Sequence, residues 1–169
     1  ASYLGCVQLA VAAMNHPAIV ALNPSFVPGD FFRQGFYCDG VFSLALTFSW
    51  LCFEVSARTA EANLFPYLNI GPFLSQVALI ALDEKSGAYV QGWRDYLGHE
   101  TKDEFWDKVD YTKDLHRCRT PTLLTGGWYD YYPNEVFRKY AALMRGEDED
   151  ARRGHRVLVG PWTHGINAV

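Results

Sequence analysis

Between Ala1 and Gly29 there is no Asp, Glu, Lys or Arg; Asp30 is the first charged residue of the 169. The stretch has neither the basic start of a secretory signal nor the ~20 continuous apolar residues of a membrane span. Gln8, Asn15, His16, Pro17, Asn23 and Pro24 interrupt it. It reads as a segment buried on several sides of a larger sheet protein. Basic charge is also scarce: 15 Lys and Arg against 19 Asp and Glu give a net charge of −4. Nothing here offers an electrostatic footprint to nucleic acid or an anionic membrane. Cys6, Cys38, Cys52 and Cys118 form no CxxC pair and no Cys/His group at zinc-ligand spacing. Free core thiols are expected, and a Cys38–Cys52 disulfide stays open. There is no repeat, no low-complexity tract, no targeting segment and no initiator Met. Upstream chain is therefore expected, in a soluble protein for which a cytoplasmic location is favoured; the oligomeric state is not legible.

What is present is a 49% hydrophobic, 15% aromatic chain long enough for about one domain. Ser2 to Asn15, rich in Ala, Leu and Val, predicts a helix that stops at Asn15-His16-Pro17. Ala18 to Leu22 (AIVAL) predicts a short, fully buried strand closed by Asn23-Pro24. Thr120 to Thr125 and Arg156 to Val159 repeat the strand signal, each followed by a glycine turn. Between them Pro133 to Arg145 is amphipathic, with Val136, Phe137, Tyr140, Ala141 and Met144 as its apolar stripe. Helix, strand, insertion, strand, helix, strand is an α/β order with a partial parallel sheet. Residues 1–28 and 119–169 are assigned to the core, and 29–118 to a mostly helical cap insertion, because some 90 residues between two strands exceed any ordinary loop. Within it Asp39 to Thr59 is expected to be helical, Asn63 to Leu82 is broken by Pro66, Gly71 and Pro72, and His99 to Leu115 is partly helical.

Both later strands run into a turn that ends in an ionisable residue. Asp130 closes Gly-Gly-Trp-Tyr-Asp, and His164 closes Gly-Pro-Trp-Thr-His. Ligand crevices of open α/β sheets lie beyond the carboxyl ends of the strands, so both are delivered to one edge. Ser2, at the start of the first helix, joins them there in the order Ser, Asp, His. A serine hydroxyl needs a neutral imidazole to take its proton, and the imidazolium needs a carboxylate on its other nitrogen. The developing oxyanion needs a preorganised donor, for which the Tyr3 backbone N–H is placed.

Ser2-Tyr3-Leu4-Gly5, Gly126-Gly127-Trp128-Tyr129-Asp130 and Gly160-Pro161-Trp162-Thr163-His164-Gly165 together resemble the Xaa-Pro dipeptidyl-peptidase-like, cocaine-esterase family of α/β-hydrolases over nearly the whole chain. The resemblance implies an α/β-hydrolase fold with Ser2 as nucleophile, Asp130 as triad acid, His164 as base and Tyr3 N–H in the oxyanion hole. Trp50 resembles a Trp of the family's cap. With Trp128, Tyr129 and Trp162 it is expected to bind substrate, from an aromatic group beside the turns that also includes Tyr131 and Tyr132. No cofactor and no metal are implied; the partner is a small-molecule ester or amide. The glycine that precedes the nucleophile in the family motif, and the Tyr that completes its oxyanion hole, have no counterpart in these residues. The isolated chain is therefore expected to be an inactive internal fragment.

An esterase or acylase is favoured, because Tyr131, Tyr132 and Pro133 follow Asp130 where α-amino acid ester hydrolases carry further carboxylates. Xaa-Pro dipeptidyl-peptidase and α-amino acid ester hydrolase activities are the alternatives, followed by a non-catalytic binding relative. A metal site at His99 with Glu100, Asp103 and Glu104 is disfavoured for want of a second His at helical spacing. His116 and His155 are expected on surface stretches.

Overall fold

The computed structural model describes residues 1–58, 71–75, 78–85 and 89–164, with side chains 52–58, 73 and 74 outside that description. Half of Asn63 to Leu82, the Cys52 thiol and Gly165 thus lie outside the described residues. The described α-helices are α1 (Tyr3–Ala12), α2 (Phe31–Gln34), α3 (Leu44–Arg58), α4 (Gly71–Leu74), α5 (Leu82–Lys85), α6 (Gln91–Gly98), α7 (Glu104–Asp107), α8 (Pro133–Leu143) and α9 (Glu149–Gly154). Strands β1 (Tyr37–Cys38) and β2 (Val41–Phe42) are antiparallel; β3 (Leu123–Gly127) and β4 (Arg156–Gly160) are parallel, with Gly127 opposite Gly160. Bridges from Leu22 to Thr122 and from Ser25 to Thr125, both parallel, extend this sheet on the far side of β3.

The AIVAL segment departs from expectation. Pairing begins only at Leu22, and Val20 is 80% exposed. The N–H groups of Ala18 and Ile19 turn back to His16, to its Nδ1 at 3.2 Å and its carbonyl at 2.9 Å, so neither is free to start a ladder. The segment lies on the outer side of β3 with no strand beyond it among the described residues. On the other sheet face, Cys6 and Leu9 of α1 meet Leu124 of β3 and Val136, Ala142 and Leu143 of α8 in one buried cluster.

The buried face of α8 is also not the one the apolar spacing predicts. Glu135, Val136, Lys139, Ala142 and Leu143 point inward, whereas Phe137 and Met144 are exposed. Two buried charged residues occupy positions that a hydrophobicity pattern assigns to solvent. His155, expected at the surface, is buried, and neither ring nitrogen has a hydrogen-bond partner among the described residues. Burial holds its imidazole below the ordinary histidine range. Cys6 and Cys118 are buried free thiols, but Cys38 is exposed, one residue from the β1–β2 turn.

That turn is Asp39-Gly40, with φ of 47° and 91°, the two left-handed positions of a tight hairpin. Residues 29–118 carry their own aromatic packing. Trp93 and Trp106 are fully buried there, with indole N–H groups donating to the Leu79 and His99 carbonyls, each at 2.8 Å. The two ends of the segment run side by side, for Asp30 bridges Asp110 and the Tyr111 N–H donates to the Gly29 carbonyl at 2.8 Å.

Candidate active site

Ser2 precedes α1 with φ 52° and ψ −134°, a region that non-glycine residues avoid and that places its side chain clear of the helix. Its N–H donates to the Ser25 carbonyl at 2.8 Å, tying the turn to the sheet edge. A serine at this position would ordinarily cap the helix, yet its side chain makes no capping bond. Instead Ser2 Oγ lies 3.0 Å from His164 Nε2, and His164 Nδ1 lies 2.6 Å from Asp130 Oδ1. The same Oδ1 accepts the Tyr131 N–H at 2.7 Å. The Asp130 side chain is 1% exposed, and its Oδ2 has no partner among the described residues.

The sheet supplies this convergence. Trp128 N–H donates to the Gly160 carbonyl at 2.9 Å and Tyr129 N–H to the Trp162 carbonyl at 3.1 Å, so the turns after β3 and β4 are bonded to each other. They touch at Gly127, where a Cβ would sit 2.0 Å from the Trp162 carbonyl oxygen. Rings enclose the imidazole: Tyr131, Tyr132 and Phe26 have centroids 5.2, 5.7 and 6.4 Å from that of His164.

A cavity of about 240 Å³ opens beside Ser2 and His164. Its walls are Phe31, Phe36, Leu46, Trp50, Tyr131 and Tyr132; Pro28, Cys6, Ser49 and Tyr3 complete the lining. No carboxylate, Lys or Arg is among these residues. Burial pushes the Cys6 thiol up to about 12, and burial followed by the Asp130 charge pushes the Tyr132 phenol up, so both are neutral near pH 7. Tyr3 is the first residue of α1, where backbone N–H groups have no partner within the helix.

The structure thus brings Ser2, Tyr3, Asp130, His164 and Trp50 to one place. Trp128 and Tyr129, two further candidates for substrate contact, lie outside the lining: both are exposed, and Trp128 packs on Phe137 with ring centroids 5.7 Å apart. Trp162 also stands outside, edge-on to Phe26. The turn brings Tyr132 and one side of the exposed Tyr131 onto the lining in their place. Phe31, Phe36 and Leu46 are walls that the sequence reading missed; the aromatic cluster Phe31, Phe32, Phe36 and Tyr37 at the start of the segment was the available signal. Among the described residues no group of three or more His, Cys, Asp or Glu is placed to hold a metal. No described helix is long and apolar enough to cross a membrane.

Residues 1–166 match the family model described as X-Pro dipeptidyl-peptidase (S15 family). The cocaine esterase of Rhodococcus sp. (strain MB1 Bresler) is 27% identical over 177 residues, covering 96% of this chain and 30% of that protein. Among solved structures, an α-amino acid ester hydrolase superposes with TM-score 0.75 at 23% identity, over 96% of this chain and 27% of the other. An aminopeptidase from a marine sediment archaeon, Thaumarchaeota archaeon, superposes with TM-score 0.69 at 20% identity, over 97% of this chain and 28% of the other. The chain spans less than a third of each relative's length, and the two structures speak for the α/β-hydrolase fold. With a family model that matches it from the Ser2 turn through the His164 turn, the chain belongs to the X-Pro dipeptidyl-peptidase family, S15.

Proposed function

We propose that this chain carries the catalytic centre of a serine hydrolase that cleaves carboxylic esters or amides. The observation behind the reading is the continuous line from Ser2 Oγ to His164 Nε2 and from His164 Nδ1 to Asp130 Oδ1. In the proposed cycle His164 Nε2 takes the Ser2 proton as Oγ attacks the substrate carbonyl carbon. The oxyanion forms against the Tyr3 N–H, and the imidazolium returns its proton to the leaving alkoxide or amine. Water, deprotonated by the same nitrogen, then releases the acid from Ser2. Asp130 keeps the Nδ1–H tautomer and stabilises the imidazolium charge.

Residues 29–118 act in this reading as a cap, since Leu46, Ser49 and Trp50 from α3 reach the cavity. An esterase or acylase of neutral, bulky, partly apolar acyl groups is the best fit. Recognition of a free α-ammonium calls for a carboxylate, and among the described residues the lining contains none. The test is fluorophosphonate labelling of the full-length protein with hydrolysis of nitrophenyl esters and Xaa-Pro-amides. Labelling at Ser2 and turnover of aromatic or aliphatic esters are expected. An unlabelled Ser2 contradicts the mechanism, and a strong preference for Xaa-Pro-amides contradicts the substrate class.

A further inference from the structure

Helix α8 turns two charged side chains, Glu135 and Lys139, into the protein, and both are essentially inaccessible at 0% and 1% exposure. Buried charged groups persist only where they are paired and hydrogen-bonded; Glu135 Oε1 accepts from Arg138 at 3.2 Å on its own helix, and the remaining partners lie on another part of the chain. Glu135 Oε2 accepts the N–H groups of Gly29 at 2.8 Å and Asp30 at 3.2 Å. Lys139 Nζ donates to the Val27 carbonyl. Both hold the same five-residue segment, Val27 to Phe31.

Along that segment the gripped groups alternate with the cavity wall. The Val27 carbonyl is held, Pro28 lines the cavity, the Gly29 and Asp30 N–H groups are held, and Phe31 lines it again. The fit at Gly29 is tight: a Cβ there would lie 2.5 Å from Thr112 Cγ2, 3.0 Å from Lys139 Cγ and 3.1 Å from Glu135 Oε2. The Asp30 carboxylate is anchored from the other side by Lys102 at 2.7 Å, which also binds Asp110 at 2.8 Å. Helix α8 itself starts one residue after Tyr131 and Tyr132, which belong to the same cavity. One rigid element therefore joins the wall that follows Asp130 to the wall built from Pro28 and Phe31. Burial lowers the Lys139 ammonium to about 8, with Glu135 the largest influence holding it up, so this amine is still mostly charged at neutral pH.

We propose that Glu135 and Lys139 are positioning residues that fix the Pro28–Phe31 wall against Ser2 and thereby set the size of acyl group the cavity accepts. The proposal rests on the acyl-cavity reading above. Its test is arranged to be independent of turnover. In the full-length Ser2→Ala protein, binding of phenyl acetate and phenyl benzoate is measured by quenching of tryptophan fluorescence, with and without Lys139→Met, Glu135→Met or Glu135→Gln. Folding is checked by urea unfolding.

Both Met substitutions keep side-chain bulk but remove the grip, and are expected to weaken benzoate-ester binding at least fivefold while acetate-ester binding changes less than twofold. Glu135→Gln retains a carbonyl acceptor for the Gly29 and Asp30 N–H groups and is expected to preserve the selectivity. A folded Met variant whose benzoate-to-acetate ratio stays within twofold of the parent overturns the proposal. So does loss of folding in both, which assigns the pair to core stability alone. Failure of the acyl-transfer reading registers separately, as an unlabelled Ser2 in the protein without substitutions, and leaves the binding ratio measurable.

Discussion

Replacing Asp130 by Asn separates two contributions that a carboxylate makes to a histidine. Oδ1 accepts both His164 Nδ1 and the Tyr131 N–H, while Oδ2 is buried with no partner among the described residues. An Asn whose NH2 turned toward the imidazole would force the wrong tautomer and also face the Tyr131 N–H, at a cost of about 1–3 kcal/mol for the orphaned donor. With the amide the other way round, the carbonyl serves both donors and the NH2 takes the place of Oδ2. That orientation costs about 1–3 kcal/mol of folding stability for a buried, unbonded NH2 and leaves His164 in its productive form. What is lost from catalysis is the negative charge. Two unit charges about 4 Å apart at an effective dielectric constant near 20 interact by about 4 kcal/mol, or roughly 10³-fold in rate.

The expected result for Asp130→Asn in the full-length protein is therefore a kcat for a nitrophenyl ester down about a thousandfold with KM little changed. The ¹⁵N spectrum of His164 should still place its proton on Nδ1. A loss smaller than about tenfold would refute Asp130 as the charge partner. A proton found on Nε2 would refute the argument that the Tyr131 N–H pins the side chain.

Three further outcomes follow from the packing. Gly127→Ala, with its Cβ 2.0 Å from a backbone oxygen, is expected to cost at least about 3 kcal/mol by urea unfolding, whereas Gly98→Ala at a helix end with nothing within 4 Å should be neutral or stabilising. His155 is held neutral by burial, so the unfolded chain takes up a proton first as pH falls; stability is full above an ordinary histidine pKa of about 6.5 and declines below it. His155→Leu should flatten the urea midpoint between pH 7 and 5, and an unchanged slope would refute that assignment. With Cys6 raised to about 12 and buried, its thiolate fraction at pH 8 is about one in ten thousand, so Ellman's reagent should modify exposed Cys38 long before Cys6 in the native protein.

The order of elements and the meeting of Ser2, Asp130 and His164 were legible because glycine turns punctuate the ends of the later strands. Residues three and four positions beyond paired Gly127 and Gly160 have little freedom to diverge. The burial of α8 was not legible, because Lys139 and one carboxylate oxygen of Glu135 find their partners on the distant segment Val27 to Asp30. The cavity walls were half legible. Which of the four aromatics after β3 face inward depends on the path of one turn, and Phe31, Phe36 and Leu46 arrive by long-range packing. The Asp39-Gly40 hairpin carried a local signal that a reading for long apolar runs passes over.

On the proposed mechanism, the backbone at Ser2 also restricts which nucleophile chemistry this turn can host. At φ 52° and ψ −134° a second substituent on Cβ crowds the adjoining peptide groups, so β-branched side chains are outliers there. Threonine offers the same oxygen and would be the smallest chemical change, yet the turn disfavours it. Cysteine, which changes the reacting element but not the branching, fits the same backbone. Exchange of one nucleophile for another is therefore easier here across the periodic table than across a single methyl group.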